Sequence, residues 1–358
     1  MRIAITGASG NIGTALLRRL ATPGSGHEVV GVARRIPDGG VPYREVSWHS
    51  LDLTEPDAVA KLEVAFTEVD AVVHLAWGFQ PSHDIDYLHR LGVGGTAAVL
   101  RAAHAARVGH LVHMSSVGAY SRAPNQRVDE SAARNGIESL AYSRHKAAAE
   151  RLLDDYEATG GAPKLAISRL RPGFVVQPDA ASALLRYGLP GYLPARALSL
   201  LPLLPLDRAL AVPIVHSDDL ADAIVRVIER RAEGAFNVAG EPPVTGDDIA
   251  LMLRARPVQV PAKALSLLVG AAWHARLQPL DRGWIDLAYS VPLLDTTRAR
   301  AELDWAPAVD GRRALAMTIE AMKHRNSTAG SPVLRTRTPL DQLRKLITSG
   351  PLGNRRLP

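Results

Sequence analysis

Cysteine is absent from this chain of 358 residues, which excludes disulfides, thiolate nucleophiles and cysteine-ligated metal centres; we assign no metal ligands. No run of 18 consecutive apolar residues occurs, so no membrane-spanning helix is expected. The first predicted strand begins at Arg2 with no charged leader before it, and we therefore expect a cytoplasmic protein. The content of 47% hydrophobic and 22% charged residues is typical of a globular protein with a sizeable buried core.

The net charge of +6 is concentrated at one end of the chain. Residues 323–358 hold eight Lys or Arg and one Asp, a net charge of +7, which leaves −1 for residues 1–322. Since a near-neutral body is not typical of nucleic-acid-binding proteins, we expect a small-molecule substrate and no nucleic acid. The tail is expected to be a solvated, poorly ordered terminus with a helical turn or two over residues 339–348, and an anionic partner such as a membrane surface or RNA is the alternative.

Two kinds of segment alternate along the first half of the chain. Short apolar segments rich in Val and Ile predict strands, and longer segments with apolar residues every three or four positions predict helices. This alternation is typical of a parallel, doubly wound sheet. The predicted strands are residues 2–8, 28–34, 71–77, 110–116 and 165–171, and the predicted helices are residues 11–21, 56–68, 84–107 and 138–159.

The pattern changes after Pro172. Residues 178–213 are rich in Leu and Pro without a clean period, and beyond them we predict helices over 217–230 and 246–254 and a strand over 235–238. We therefore predict an α/β fold, a Rossmann-type doubly wound parallel sheet with a smaller C-terminal substrate lobe. The sheet domain is assigned to residues 1–172 with 214–240 interleaved, and the substrate lobe to residues 173–213 and 241–322.

Three glycines join the first predicted strand to the first predicted helix, in the sequence TGASGNIG over residues 6–13. Glycine is needed where the backbone turns sharply, approaches a pyrophosphate and then packs a helix on the sheet, and the helix N-terminus offers free amides to the phosphates. The pattern predicts a dinucleotide site, although a tight turn that needs glycine only for steric reasons has the same spacing. The candidate cofactor contacts are Gly7, Ser9, Gly10, Asn11, Ile12 and Gly13.

The end of the second predicted strand bears on which dinucleotide is bound. An acidic residue there favours NAD, whereas an arginine accommodates the 2′-phosphate of NADP. Ala33 holds the place of the acid and Arg34 and Arg35 follow it, so we predict NADP(H), with NAD as the alternative if both arginines are simply solvated. Asp52 and Leu53 follow the third strand and are placed to contact the adenine, unless Asp52 instead caps the next helix.

Tyr142 and Lys146 are four residues apart on a predicted helix and therefore share one face. Because a free tyrosine has a pKa of about 10, a neighbouring ammonium is expected to lower it toward the neutral range. With 8 Tyr and 6 Lys in the chain, this spacing arises by chance about 0.13 times. Ser115 and Ser116 end the preceding strand where parallel sheets bind ligands, and strand alternation points one of them into the cleft to hold a carbonyl oxygen.

The motifs TGASGNIG, VVHLAW, HLVHMSSVGAY, YSRHK, RPG, VHSDDLA and DTTRARAELDW follow one another along the chain. From residue 1 to about residue 322 the chain resembles an extended short-chain dehydrogenase/reductase of the NAD-dependent epimerase/dehydratase grouping. The resemblance implies that Ser116, Tyr142 and Lys146 form the catalytic set. Tyr142 would be the general acid/base, Lys146 would hold the nicotinamide ribose, and Ser116 would orient the reacting oxygen.

The same resemblance implies further contacts and a partner. It implies a homodimer built on the long helices predicted over residues 84–107 and 138–159. Gly92 stands where the family usually has an asparagine, and Trp77 replaces a residue that is often small. The further cofactor contacts that the resemblance implies are Leu75 and Ala76 near the adenosine and Pro172 and Gly173 near the nicotinamide.

Two segments are expected to set the substrate specificity, residues 178–213 and 256–290, and both are apolar. Sugar nucleotides need a diphosphate clamp of cations, whereas apolar pockets suit hydrophobic carbonyls or alcohols, although the same leucines would serve as plain core. We therefore predict an NADP(H)-dependent reductase or dehydrogenase of a small, largely apolar carbonyl or alcohol. The alternatives are a nucleotide-sugar epimerase that uses NAD and a non-catalytic NADP(H)-sensing protein. The cations that could still clamp phosphates are Arg186, Arg196, Arg208 and Arg276.

Overall fold

A computed structural model describes residues 1–22, 24, 26–78, 84–159, 165–188, 202–275, 277–278 and 280–336 of the protein. Arg196 and Arg276, the side chain of Arg186 and the helical turn predicted over residues 339–348 lie outside this description. Within these ranges, no helix is both long and apolar enough to cross a membrane.

Strands and α-helices alternate along the first half of the described chain, as the sequence predicts. The strands are β1 (Arg2–Thr6), β2 (Glu28–Ala33), β3 (Val46–Ser50), β4 (Ala71–His74), β5 (His110–Met114), β6 (Arg127–Val128), β7 (Ala166–Pro172), β8 (Phe174–Val176), β9 (Leu203–Leu206), β10 (Ala211–His216), β11 (Gly234–Val238), β12 (Gly240–Thr245), β13 (Arg256–Gln259) and β14 (Leu293–Leu294). The α-helices are α1 (Asn11–Leu20), α2 (Ala58–Ala65), α3 (Ile85–His89), α4 (Gly95–Ala105), α5 (Ala141–Ala158), α6 (Ala181–Gly188), α7 (Ser217–Arg230), α8 (Gly246–Leu253), α9 (Ala262–His274), α10 (Arg282–Ala288), α11 (Thr297–Leu303) and α12 (Gly311–Lys323).

Seven strands form one parallel sheet in the order β11-β7-β5-β4-β1-β2-β3. The predicted Rossmann-type α/β fold is therefore confirmed. The strand order reverses at β1, which lies between β2 and β4, and the carboxyl ends of β1 and β4 open a crevice at that point. Ligands of open parallel sheets bind in such a crevice. The glycine turn follows β1 and the segment containing Trp77 follows β4, so both reach this edge of the sheet.

Helices cover both faces of the sheet. Helices α1 and α7 pack together on one face, where Leu16 and Ile224 are fully buried. Helices α2, α4 and α5 cover the other face with residues that include Leu62, Val99 and Leu153, all of them fully buried. A sheet buried on both sides needs strands that are apolar throughout, which explains why its central strands are Val- and Ile-rich runs.

A smaller lobe lies beyond the carboxyl edge of the sheet. Strands β12, β10 and β8 form a three-stranded sheet in which β10 runs antiparallel to β12 and parallel to β8. Its core includes Val176, Ile214, Val244 and Leu287, and Tyr142 is packed against it. Because α5 also packs against the large sheet, Tyr142 lies where the large sheet and the smaller lobe meet.

The single long helix predicted over residues 84–107 is wrong in detail. The structure has α3, then a π-helical turn over Arg90–Gly94, then α4. Three glycines within residues 92–95 give this stretch weak α-helical propensity, so packing decides its conformation. A π-helical turn widens the helix locally and is frequent at functional sites.

Residues 324–336 depart from the expectation of a solvated tail. Ser331 and Leu334 are buried, and Leu334 packs against Ala180 and Ala183. The Ser331 hydroxyl donates a hydrogen bond of 2.7 Å to the carbonyl oxygen of Ser9 in the glycine turn. The physical reason is the apolar Pro-Val-Leu triplet at residues 332–334, which can be buried although basic residues surround it.

Candidate active site

The glycine turn uses its first and third glycines for close approaches. Gly7 has a φ of +73°, and a Cβ atom added there would lie 2.8 Å from the Ala76 nitrogen. A Cβ on Gly13 would lie 2.5 Å from the Ala8 carbonyl oxygen, so glycine lets α1 pack on the turn. Gly10 begins α1 without a side-chain cap, and no acidic residue occupies the first turn. The amides of that turn are therefore suited to an anion, as a pyrophosphate site requires.

The side chains of the turn connect it to β8 and to the C-terminal segment. The Asn11 amide donates to the Val175 carbonyl oxygen at 3.2 Å, and the Gln177 amide donates to the Asn11 side-chain oxygen at 2.6 Å. Ser9 is buried and Ile12 is half-buried. These contacts fix the turn and leave its backbone amides as the groups available to a ligand.

A cluster of polar side chains lies at the end of β2. The exposed Arg34 guanidinium donates to the Tyr87 hydroxyl at 3.1 Å and lies 3.8 Å from the Asp52 carboxylate. Asp52 also accepts two hydrogen bonds from Thr54, at 2.9 and 2.8 Å, so it organises the turn before α2. Arg35 is half-buried beside this cluster. Tyr87 has no motif that singles it out in the sequence, and only the fold brings it here.

Three of the other sequence-predicted contacts shape the walls of the crevice. Leu53 is buried and lies where a Cβ on Gly95 would be 3.1 Å away. The Leu75 amide donates to the Thr6 carbonyl oxygen at 3.0 Å, which extends β4 toward the glycine turn. A Cβ on Gly173, next to the buried Pro172, would lie 2.4 Å from a backbone oxygen of β10, so glycine there lets the small lobe approach the large sheet.

The two serines after β5 face opposite ways. The Ser115 hydroxyl donates to the Glu150 carboxylate at 2.5 Å, inside the protein. The Ser116 hydroxyl accepts the Gly118 amide at 3.0 Å and is hydrogen-bonded to Tyr142. Ser116, and not Ser115, is therefore the serine that shares a site with the tyrosine.

The pKa of Tyr142 is raised to about 12, because burial disfavours the phenolate more than the hydrogen bond with Ser116 favours it. The expectation that Lys146 lowers this pKa is wrong for the protein as it stands. The Lys146 ammonium donates to the Met114 carbonyl oxygen at 2.7 Å and lies 5.9 Å from the centre of the Tyr142 ring. Tyr142 is therefore a protonated phenol at neutral pH.

Two tryptophans that the acid/base motif does not include flank Tyr142. The Trp77 ring meets the Tyr142 ring edge-on at 6.3 Å, and the Trp284 ring lies 5.4 Å from it. Leu287 lies nearby, where a Cβ on Gly118 would be 3.5 Å from it. The surroundings of the phenol are thus largely apolar and aromatic. Trp77 is noticeable in the sequence as a departure from the family pattern, whereas Trp284 gives no signal there.

A buried ion-pair network lies directly behind the site. The fully buried Glu150 carboxylate accepts two hydrogen bonds from Arg171, at 2.8 and 2.6 Å, and one from Arg134 at 2.9 Å. Arg171 also donates to the Tyr120 hydroxyl at 3.0 Å. Although burial opposes its ionisation, the bonds from Arg171 hold the pKa of Glu150 below its usual range. The network joins the carboxyl ends of β5 and β7 to α5.

Two buried histidines lie beside the site on β4 and β5. The ring nitrogens of His74 are 2.7 Å from the Thr6 hydroxyl and 3.2 Å from the Thr96 hydroxyl. Burial lowers the pKa of His74 to about 3, and both it and the neighbouring Lys146 charge lower the pKa of His113 well below 6.5. Both rings are therefore neutral at physiological pH.

These histidines predict an acid-labile fold. An unfolded histidine binds its proton near pH 6.5, whereas His74 in the fold does so near pH 3, so stability present above pH 6.5 is lost as the pH falls. Between pH 7 and pH 5, His74 alone is expected to cost about 2 kcal/mol, and His113 acts in the same direction. Urea denaturation at both pH values measures this. His74→Gln should reduce the difference by about 2 kcal/mol, and a variant of the exposed His324 should not change it.

The family model of the NAD dependent epimerase/dehydratase family matches residues 3–239. The chain belongs to this family. The match spans the large sheet, the glycine turn and Ser116, Tyr142 and Lys146, and it confirms the resemblance drawn from the motifs. It stops before the C-terminal half of the small lobe.

Curated relatives of the family member differ in length and in described activity. An uncharacterized protein of Mycobacterium tuberculosis is 29% identical over 88% of this chain, and the chain spans 29% of that relative's length. L-arabinose 1-dehydrogenase (NAD(P)(+)) of Haloferax volcanii is 36% identical over 32% of this chain and 41% of its own length. UDP-glucose 4-epimerase of Mycolicibacterium smegmatis is 26% identical over 91% of this chain and 100% of its own length.

Solved structures share the fold. UDP-glucose-4-epimerase from Stenotrophomonas maltophila, solved with bound NAD and formylated UDP-arabinopyranose, superposes with a TM-score of 0.68 and 22% identity. The likeness covers 90% of this chain and 98% of that one. At this identity the likeness supports the architecture, and the chemistry of this family member has to be argued from its own residues.

Proposed function

We propose that the chain is an NADP(H)-dependent reductase or dehydrogenase of a small, largely apolar carbonyl or alcohol. The proposal is carried by one continuous line of contacts at the crevice. It begins where Gly7 approaches Ala76, continues through the Trp77 ring to the Lys146 ammonium, and ends at the hydrogen-bonded pair Tyr142 and Ser116. A dinucleotide site and an acid/base site are thereby adjacent.

The residues of the crevice fit a bound dinucleotide. Uncapped amides after Gly10 suit its pyrophosphate, Gly7 keeps the crevice free of a side chain, and Arg34 and Arg35 suit a 2′-phosphate in a place that lacks an acid. When bound, NADP(H) supplies or accepts a hydride. The sites of these residues, and the assembly into a homodimer through α4 and α5, are part of the proposal.

The acid/base group handles the proton in this proposal. During reduction the phenol of Tyr142 donates its proton to the substrate oxygen, and Ser116 holds that oxygen by a hydrogen bond. Lys146 supplies a positive charge beside the reacting group. In the oxidative direction the same groups act in reverse, with Tyr142 accepting the proton of the alcohol.

The surroundings of Tyr142 support an apolar substrate. Trp77, Trp284 and Leu287 offer a flat, water-excluding contact and few hydrogen-bond partners. Of the four cations considered for a diphosphate clamp, only Arg208 has a described side chain, and it is exposed. These observations favour a hydrophobic carbonyl over a charged nucleotide sugar.

The cofactor choice predicts a difference between NADPH and NADH. Purified protein is expected to bind NADPH more tightly, and Arg34→Ala or Arg35→Ala should weaken NADPH binding about 10- to 100-fold while NADH binding changes little. The reason is the loss of a charge-assisted contact to the 2′-phosphate, which NADH does not have. Titration calorimetry or cofactor fluorescence measures both affinities.

Arg44→Ala is the matched control for this comparison. Arg44 is an exposed arginine shortly before β3 and should leave both affinities unchanged. Equal affinity of the wild-type protein for the two cofactors, or equal losses for both in the Arg34 and Arg35 variants, would contradict the assignment of NADP(H).

An NAD-dependent nucleotide-sugar epimerase is the second candidate. It is favoured by the relative named UDP-glucose 4-epimerase, whose whole length aligns with 91% of this chain. An epimerase returns the hydride to its substrate, so NAD would stay bound through purification and no net change in cofactor absorbance would accompany turnover. Cofactor analysis of the purified protein distinguishes the two candidates before any substrate is known.

A further inference from the structure

The indole of Trp77 is the surface on which the Lys146 ammonium rests. The Lys146 nitrogen lies 3.4 Å from the centre of a Trp77 ring, which is within the range of a strong cation–π contact. The indole also meets His113 edge-on at 6.4 Å and Tyr142 edge-on at 6.3 Å. Trp77 therefore touches both acid/base side chains of the proposed set.

Gly92 makes room for this indole. A Cβ atom added at Gly92 would lie 2.9 Å from Trp77 Cζ2 and 3.1 Å from Cη2, closer than carbon atoms normally pack. Gly92 occupies the middle of the π-helical turn, and the Thr96 hydroxyl donates to its carbonyl oxygen at 2.7 Å. Gly94, two residues later in the same turn, has open space around the corresponding position. The lack of a side chain is thus a packing requirement at Gly92 and not at Gly94.

Lys146 depends on few groups for its charge. It is buried, and burial lowers its pKa well below the usual value, with the Glu150 charge opposing this. The titratable groups that face it are His74, His113, Tyr142 and Glu150. His74, His113 and Tyr142 are neutral at pH 7, so they give the ammonium no opposite charge. The carbonyl oxygen of Met114 and the face of Trp77 are its direct contacts.

We propose that Trp77 is a positioning residue that holds the Lys146 ammonium beside Tyr142 through its aromatic face, and that Gly92 is required to seat the indole. The inference rests on the proposed function in one respect, namely that Lys146 acts in the reaction. Its physical content, a lysine kept charged by an indole in a dry site, can be tested without turnover.

The direct test measures the protonation of Lys146 in the full chain. Since the chain has 6 lysines, a sample labelled with [ε-13C]lysine gives a simple NMR spectrum, in which Lys146→Met assigns the signal. In Trp77→Leu the proton affinity of Lys146 is expected to fall about tenfold, and in Trp77→Phe by less, because a phenyl face retains part of the attraction. Gly92→Ala should act in the same direction as Trp77→Leu by displacing the indole, and Gly94→Ala should titrate like the wild type.

Kinetics give the second measurement. In Trp77→Leu and Gly92→Ala, kcat for carbonyl reduction is expected to fall about tenfold, with KM for NADPH little changed and the limb of the pH profile that reports Lys146 moved to lower pH. An unchanged Lys146 titration in Trp77→Phe and Gly92→Ala, whatever happens to Trp77→Leu, would overturn the proposal. A shifted titration in a protein that reduces no carbonyl would leave the inference intact and remove the proposed function.

Discussion

Replacing Tyr142 with Phe is expected to lower the turnover of carbonyl reduction by roughly two to four orders of magnitude. The substitution removes only the hydroxyl, so the ring contacts to Trp77 and Trp284 and the small-lobe packing are kept. Because the pKa of Tyr142 is raised to about 12, the phenol carries its proton throughout the neutral range and is ready to donate it. The assay follows NADPH consumption with a panel of small apolar aldehydes and ketones.

A matched control is available on the same helix. Tyr156 on α5 donates or accepts a hydrogen bond with His104 at 2.8 Å, away from the crevice, so Tyr156→Phe should leave turnover unchanged. NADPH affinity should be nearly the same in both variants, since neither hydroxyl lies in the glycine turn. Full turnover in Tyr142→Phe would show that the proton comes from another group and would remove the mechanism.

The large sheet could be predicted from the sequence because burial on both faces leaves a simple pattern. Strands β1 and β2 and helices α1 and α7 lie within two residues of their predicted bounds. The π-helical turn over Arg90–Gly94 could not be predicted in this way, because its apolar spacing resembles that of an α-helix and its conformation is decided by packing against Trp77. The buried segment around Leu334 was hidden by the basic residues on either side of it.

The candidate site divides along a similar line. Spacing on one helix was enough to pair Tyr142 with Lys146, because four residues always return a helix to the same face. The direction of the Tyr142 pKa was predicted wrongly, because it depends on burial by side chains as distant in sequence as Trp77 and Trp284. The choice between Ser115 and Ser116 likewise needed the position of Glu150, which strand alternation does not give.

Removing the Glu150 carboxylate is expected to cause the largest loss of stability. Glu150→Ala should lower the free energy of unfolding by about 3–5 kcal/mol, because it leaves the guanidinium of Arg171, which is 2% exposed, without its counter-charge. Urea denaturation at pH 7 measures the change. Glu157→Ala is the control on the same helix, since Glu157 pairs with Arg169 but its side chain is 41% exposed, and it should cost at most about 1 kcal/mol.

A second substitution separates the worth of the ion pair from the cost of a buried charge. If the loss in Glu150→Ala comes from the uncompensated guanidinium, then adding Arg171→Met should restore a large part of the stability, because two apolar side chains can replace a buried pair at little net cost. If the two losses simply add, Arg171 gains its stability elsewhere, from Tyr120 and the Glu130 carbonyl oxygen. Since Ser115 donates to Glu150 and Ser116 follows it, the Glu150 variant should also loosen the contact between Ser116 and Tyr142, lowering kcat even under conditions where the fold is retained.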